Sequence, residues 1–144
     1  MSFYSKIVVA VDPFIASENI VSKAQKLLVN GGILDLVYVR EEISVAFAGA
    51  PLAPPLAYTS ESHEHKIEAQ KLLVELANKY SVPEKNIKIL TGSAPREIRD
   101  YAKDNKADCI VIGSHGRHGV ALLLGSTATS VIHGTPCDIL VVKI

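Results

Sequence analysis

Short apolar runs rich in β-branched residues alternate with helical patterns along this chain, and the alternation predicts an α/β fold. Two of the runs, residues 7–11 and 109–112, are apolar at every position, which is typical of parallel strands that are covered on both faces. The 144 residues are the length of one typical domain. We therefore predict a single doubly wound domain over residues 1–144, with a mostly parallel sheet and helices on both of its faces.

The first part of the chain predicts two strands with a helix between them. Residues 7–11 form the first strand, which Asp12-Pro13 ends. Apolar residues at helical spacing follow, with Ser17 as a candidate N-cap and Gly31-Gly32 as the expected end of the helix. Residues 33–39 form the second strand. The apolar positions of this first helix are Ile20, Val21, Ala24, Leu27 and Leu28.

A loop and a long helix come next. Residues 41–60 include an alanine- and proline-rich stretch and predict a loop, after which Ser60 or Ser62 begins a helix that ends before Pro83. Six apolar residues recur at helical spacing there, which is the strongest helical signal in the chain. They are Ala69, Leu72, Leu73, Leu76, Ala77 and Tyr80.

The remainder of the chain predicts three more strands, at residues 86–90, 109–112 and 139–142. Ser93-Ala94-Pro95 opens a helix between the first two of these strands, because proline is favoured at the first helical positions. A short helix after residues 113–125 precedes the last strand. The residues expected to face inward are Ile98, Tyr101 and Ala102 in the former helix and Ala128, Val131 and Ile132 in the latter.

Charge and composition argue against several classes of function. Lys and Arg together number 15, as do Asp and Glu, whereas a binder of nucleic acid or of an anionic membrane needs an excess of basic side chains. No segment suits a membrane span, and no secretory signal is recognised at the N-terminus. Two cysteines and no such signal predict a reducing, cytoplasmic location.

Ligands of doubly wound sheets bind beyond the carboxyl ends of the strands, where the strand order reverses. Asp12 follows the first strand, and a glycine-rich segment follows the fourth. Gly113 and Gly116 predict a tight turn with exposed backbone amides, and Gly125-Ser126-Thr127 precedes a helix whose amino end favours a phosphate. Together these amides suit a polyphosphate. The alternative is that the glycines only make turns and that Ser126 only caps a helix.

Three segments resemble the universal stress protein family: residues 113–128 (GSHGRHGVALLLGSTA), residues 136–142 (PCDILVV) and residues 6–12 (KIVVAVD). The resemblance covers essentially the whole chain, and it implies the strand order 3-2-1-4-5. Family members with the motif G-x2-G-x9-G-[ST] bind ATP. The resemblance therefore implies an ATP-binding, cytoplasmic regulatory protein of the stress response.

The resemblance also implies a role for every candidate site residue except Arg117, which is judged from its own chemistry. Asp12 and a backbone group at the end of the second strand, in Val39, are expected to contact adenine. Taken without the resemblance, an aspartate at position 12 would more often form an Asx turn or cap a helix. Arg117 either pairs with phosphate oxygens or is a solvated loop charge. The expected cofactor is ATP, with ADP or AMP as alternatives and Mg²⁺ as an optional companion. The residues expected to hold ribose and phosphates are Gly113, Gly116, Gly125 and Ser126, with backbone contacts from Ile112, His115 and Thr127.

The spacing between Gly116 and Gly125 departs from the family motif, because eight residues lie between them instead of nine. A surface loop can absorb such a deletion, or the deletion can turn the phosphate-binding amides away. The alternative function is therefore a dimeric interaction module of the same fold that binds no nucleotide.

Sequence signatures of catalysis are missing. Neither G-x-x-x-x-G-K-[ST] nor G-x-S-x-G occurs, so we expect no catalytic residue and at most slow ATP hydrolysis. We also expect no metal site, because His63 and His65 are two residues apart and do not share a helix face. Cys109 is expected to be a small core residue, and Cys137 has weak support for a redox role.

The last strand indicates how the protein assembles. The resemblance implies that this strand lies at the edge of the sheet, and residues 139–142 carry neither a charge nor a proline to block pairing. We therefore expect a homodimer that forms through this edge.

Overall fold

The computed structural model describes residues 3–41, 55–114 and 126–144, with the backbone alone at 55–62 and at 126. Its strands are β1 (Tyr4–Ala10), β2 (Leu28–Arg40), β3 (Ile87–Thr91), β4 (Cys109–Gly113) and β5 (Asp138–Val142). They form one five-stranded sheet in the order β3-β2-β1-β4-β5. Every neighbouring pair of strands is parallel. The predicted strand order is confirmed.

Helices cover both faces of this sheet. They are α1 (Glu18–Leu27), α2 (Pro55–Lys79), α3 (Ala94–Asp104) and α4 (Ser126–Ile132), and a short 3-10 turn (Glu84–Asn86) precedes β3. Buried residues of α1 and α2 pack on one face, and buried residues of α3 and α4 pack on the other. The predicted doubly wound architecture is therefore confirmed.

β1 lies in the middle of the sheet, and its residues 7–10 show why this run is apolar at every position. Ile7 and Val9 belong to the core under α1 and α2, and Val8 and Ala10 belong to the core under α3 and α4. Because successive side chains of a strand point to opposite faces, a strand covered on both sides needs an apolar residue at each step.

The start of β2 differs from the prediction. The expected helix end at Gly31-Gly32 is wrong, because α1 ends at Leu27 and β2 begins at Leu28. Gly31 has φ +78° within β2, where the pairing with β1 is interrupted by a register shift. A glycine that permits positive φ serves an irregular strand as well as a helix end, so the residue type could not distinguish the two.

Two helix predictions also need correction. α2 begins at Pro55 rather than at Ser60 or Ser62, because proline can occupy the first turn of a helix, where the missing N–H forms no helical bond. Ile132 is 41% exposed and does not face inward as predicted. It is the last residue of α4, and the buried residues of this helix are Ala128 and Val131.

The predicted N-cap of α1 is correct in position but not in mechanism. Ser17 directly precedes α1, yet its side chain makes no capping hydrogen bond to the helix. Its hydroxyl instead donates to the carbonyl of Asp12 at 2.9 Å, so the serine closes the turn that follows β1.

Candidate functional site

The carboxyl ends of β1 and β4 lie side by side. β1 pairs with β2 on one side and with β4 on the other, so the strand order reverses between β1 and β4. Ala10 and Ile112 form the last pair that joins the two strands. Residues 11–13, 39 and 112–114 therefore meet at the switch point of the sheet, where ligands of this fold class bind. We call these residues the crevice.

Asp12 begins a tight turn directly beyond β1. Its carboxylate accepts a hydrogen bond from the Phe14 N–H at 3.0 Å, which is the pattern of an Asx turn. Its carbonyl accepts a second bond from the Ile15 N–H at 3.2 Å and a third from the Ser17 hydroxyl. Three residues that follow Asp12 in the chain therefore hold this turn, and Phe14 is the one that binds the carboxylate.

The backbone of Val39 faces the crevice. Val37 accepts from the Val11 N–H, and Arg40 accepts from the Gly92 N–H, so odd-numbered residues of this part of β2 face β1 and even-numbered ones face β3. By this alternation the Val39 N–H and C=O point to the β1 side. In the hydrogen-bond ladder between β1 and β2, the N–H that would donate to the Val39 carbonyl is that of residue 13. Pro13 has no N–H. The proline thus prevents the ladder from reaching the Val39 carbonyl.

The end of β4 is closely packed. The Ser114 N–H donates to the Val142 carbonyl at 2.8 Å, so this amide is already paired and is not exposed as the predicted glycine turn required. A Cβ at Gly113 would collide with the Ile144 side chain and lie 3.0 Å from Ile20 Cδ1. The absence of a side chain at Gly113 therefore has a reason in packing, independent of any ligand. Ile112 is buried beside it.

α4 is fixed in place at its carboxyl end. The Arg99 guanidinium of α3 donates to the carbonyl of Ser130 at 2.5 Å and to that of His133 at 2.9 Å. A cation suits this position, because the last carbonyls of a helix lack partners and carry partial negative charge. At the other end of α4, Ser126 begins the helix and Thr127 is half-buried.

The model of the universal stress protein family matches residues 3–143. The chain belongs to the universal stress protein family. Universal stress protein A homolog 1 of Coxiella burnetii is 34% identical over 143 residues, covering 96% of each chain. The predicted family membership is confirmed.

Solved structures show the same universal stress protein fold. The hypothetical protein MJ0577 superposes with a TM-score of 0.83 at 23% identity, over 99% of this chain and 97% of that one. A universal stress protein in complex with cAMP superposes with a TM-score of 0.63 at 19% identity, over 99% and 98% of the two chains. At these identities the likeness establishes the fold.

The family signature falls partly outside the described residues. Of the ten predicted site residues, the structure describes Asp12, Val39, Ile112, Gly113 and Thr127 together with the backbone of Ser126. The first four lie in the crevice, and Ser126 and Thr127 open α4. The remaining predictions, His115, Gly116, Arg117 and Gly125, lie outside the described residues, and the ligand roles of all ten stay predictions.

Asp35 was missed by the sequence analysis, although it is a lone charge in the apolar run 33–39. Its carboxylate is buried, accepts a hydrogen bond from the Tyr101 hydroxyl at 2.9 Å and lies 3.6 Å from Lys6 Nζ. Burial and the bond to Asp35 raise the pKa of Tyr101. These three residues line a groove of about 620 Å³ at the amino ends of the strands, away from the crevice. The hydrogen bond between Tyr101 and Asp35 attaches α3 to β2.

The cysteines lie on opposite faces of the sheet. Cys109 is buried in the core under α1 and α2, as predicted, and Cys137 packs on the core under α3 and α4. Burial raises the pKa of Cys109 to about 11 and also raises that of Cys137, so neither thiol is activated for nucleophilic chemistry.

Among the described residues, no helix has the length and apolar character needed to cross a bilayer.

Proposed function

We propose that this universal stress protein binds an adenine nucleotide, with ATP as the first candidate, at the crevice, and acts as a regulatory protein of the stress response. The observation that supports this most directly is the Val39 carbonyl, which faces the crevice beside Asp12 where Pro13 ends the ladder. A carbonyl and a carboxylate at a switch point suit the amine and hydroxyl donors of a nucleoside.

The adenosine half of the ligand is assigned to residues that the structure describes. The Val39 carbonyl would accept a hydrogen bond from the exocyclic amine of adenine, and the Asp12 carboxylate would accept one from the nucleoside. The phosphates are assigned to the family motif, with Gly113, Gly116, Gly125 and Ser126 as the contacts and backbone groups of Ile112, His115 and Thr127 beside them. Arg117 would pair with phosphate oxygens, and Mg²⁺ would accompany a triphosphate. The solved universal stress protein that holds cAMP supports this class of ligand.

Calorimetric titration with ATP, ADP and AMP tests the proposal. Asp12→Ala should weaken binding about tenfold or more, because a hydrogen bond to a charged group is lost. Gly116→Val should also weaken binding, because a side chain at a motif glycine blocks close approach of a phosphate. Asp104→Ala is the matched control, since Asp104 is exposed at the far end of α3. Equal affinity in all variants would refute the assigned site.

The alternative is an interaction module that binds no nucleotide. The eight-residue spacing and the Ser114 amide, already bonded to Val142, favour it. Freshly purified protein would then release no nucleotide on denaturation, and ATP would not raise its melting temperature. Release of an adenine nucleotide would exclude this alternative.

We further propose that two copies pair through β5. Within the described sheet, β5 pairs with β4 on one side and is the edge strand on the other. Because the Val142 carbonyl faces β4, the neighbouring Val141 directs its backbone N–H outward. Val141→Pro would therefore remove a donor from the edge while keeping the bonds to β4. Sedimentation should show a dimer in the wild type and a monomer in the variant. A monomeric wild type would refute pairing through β5.

A further inference from the structure

The ring of Phe14 connects the crevice with α2. The imidazole of His65 stacks on this ring with 4.4 Å between centroids and 13° between planes. Tyr38 of β2 contacts the same ring at 6.2 Å and 68°, an edge-on arrangement. Both geometries are favourable for aromatic pairs. Phe14 therefore joins the turn beyond β1 to a helix and to a strand.

Phe14 also helps to position the Asp12 carboxylate. Its N–H donates to that carboxylate at 3.0 Å. Phe14 therefore contacts α2 through its ring and Asp12 through its backbone. His65 lies one turn before Ala69, and it extends the buried stripe Ala69, Leu73 and Ala77 at intervals of four residues. The stripe that packs α2 on the core thus ends on the turn that carries Asp12.

We propose that the His65–Phe14 stack couples α2 to the Asp12 turn, so that nucleotide binding at the crevice and docking of α2 favour one another. His65 is in this sense a positioning residue, and the coupling to nucleotide rests on the proposed function. If the docked helix improves nucleotide affinity by some factor, thermodynamic linkage requires the nucleotide to strengthen the docking by the same factor. A nucleotide bound at the crevice would therefore strengthen the docking of α2, which lies outside the crevice.

Three variants test the contribution of the ring. His65→Ala removes the ring and inserts a good helix former, so α2 should still form. We expect it to weaken ATP binding about two- to tenfold, the range that an aromatic pair can supply. His65→Phe keeps a flat ring and should bind ATP like the wild type. His63→Ala is the matched control, because His63 is exposed two residues earlier on the same helix, and it should also bind like the wild type.

Hydrogen exchange supplies a readout that needs no nucleotide. In the free protein, His65→Ala should speed exchange of the Phe14 amide, and His63→Ala should not. ATP should slow exchange in the first turns of α2 in the wild type and less so in His65→Ala. If the wild type binds ATP and His65→Ala binds equally well, the coupling is refuted and the proposed function stands. If the wild type binds no ATP, both the proposed function and the coupling fail, and faster Phe14 exchange in His65→Ala would then report the stack alone.

Discussion

Replacing Tyr101 with phenylalanine removes a hydroxyl that donates to the buried Asp35 carboxylate at 2.9 Å. Lys6 remains 3.6 Å away, beyond good hydrogen-bonding distance, so the carboxylate loses a partner that Lys6 does not replace. A hydrogen bond to a charged group contributes about 1.5–3 kcal/mol, and the partial exposure of Tyr101 favours the lower part, about 1.5–2 kcal/mol. With an unfolding entropy of about 0.3 kcal/mol/K for a chain of this length, the melting temperature should fall by about 5–7 °C.

Urea titration and thermal melts followed by circular dichroism measure this change. The matched control is Tyr4→Phe, which removes a hydroxyl that donates to Asp138 at 3.0 Å in an exposed position. Because water can replace an exposed partner, this variant should lose less stability than Tyr101→Phe. If the two variants are equally stable, or if Tyr101→Phe matches the wild type, the buried bond does not attach α3 as we argue.

The same contact predicts how stability depends on pH. Burial, followed by the bond to Asp35 and its charge, raises the pKa of Tyr101 above the ordinary value of about 10. Between pH 10 and the folded-state pKa, the folded protein keeps a proton that the unfolded chain has released. This stabilising contribution is complete below about pH 10 and is lost as the pH rises. Above pH 10, the stability of Tyr101→Phe should therefore decline less steeply than that of the wild type, which urea titrations at pH 9–11 would show.

Three further predictions follow from other parts of the structure. Gly113→Val should cost about 1–3 kcal/mol in urea titration, because its side chain meets the buried Ile20; no loss would refute the packing reason for this glycine. Arg99→Ala should lower the melting temperature and speed amide exchange in α4, whose last carbonyls it binds; unchanged exchange would contradict this. Iodoacetamide should modify Cys137 before Cys109 in the folded protein, as read by mass spectrometry, because Cys109 is the more buried thiol; the reverse order would be inconsistent with the fold.

The sheet could be predicted from the sequence because its central strands are covered on both faces. Ile7, Val8, Val9 and Ala10 each face one of two cores, so the apolar run itself indicates the layers. Prediction failed where one residue type serves two conformations. Gly31 fits an irregular strand as well as a helix end, and a proline fits the first turn of a helix as well as a loop.

The site could be predicted only where local sequence determines it. Asp12 was identified from its place after a strand, and its turn forms with Phe14, two residues away. The contact between Tyr101 and Asp35 joins residues 66 apart, and no local pattern predicts such a pair. A charge within an apolar strand was the available signal for Asp35, and the continuation of the α2 stripe to position 65 was the one for His65.

The eight-residue spacing of the family motif counts against the proposed contacts at the amino end of α4 only if the spacing determines where α4 lies. α4 is held by contacts of its own: Ala128 and Val131 are buried against the sheet, and Arg99 binds the carbonyls of Ser130 and His133. None of these contacts depends on how many residues precede the helix. One residue fewer before the helix therefore leaves these described contacts of α4 unchanged. For this reason we rank nucleotide binding above the alternative that the spacing suggests.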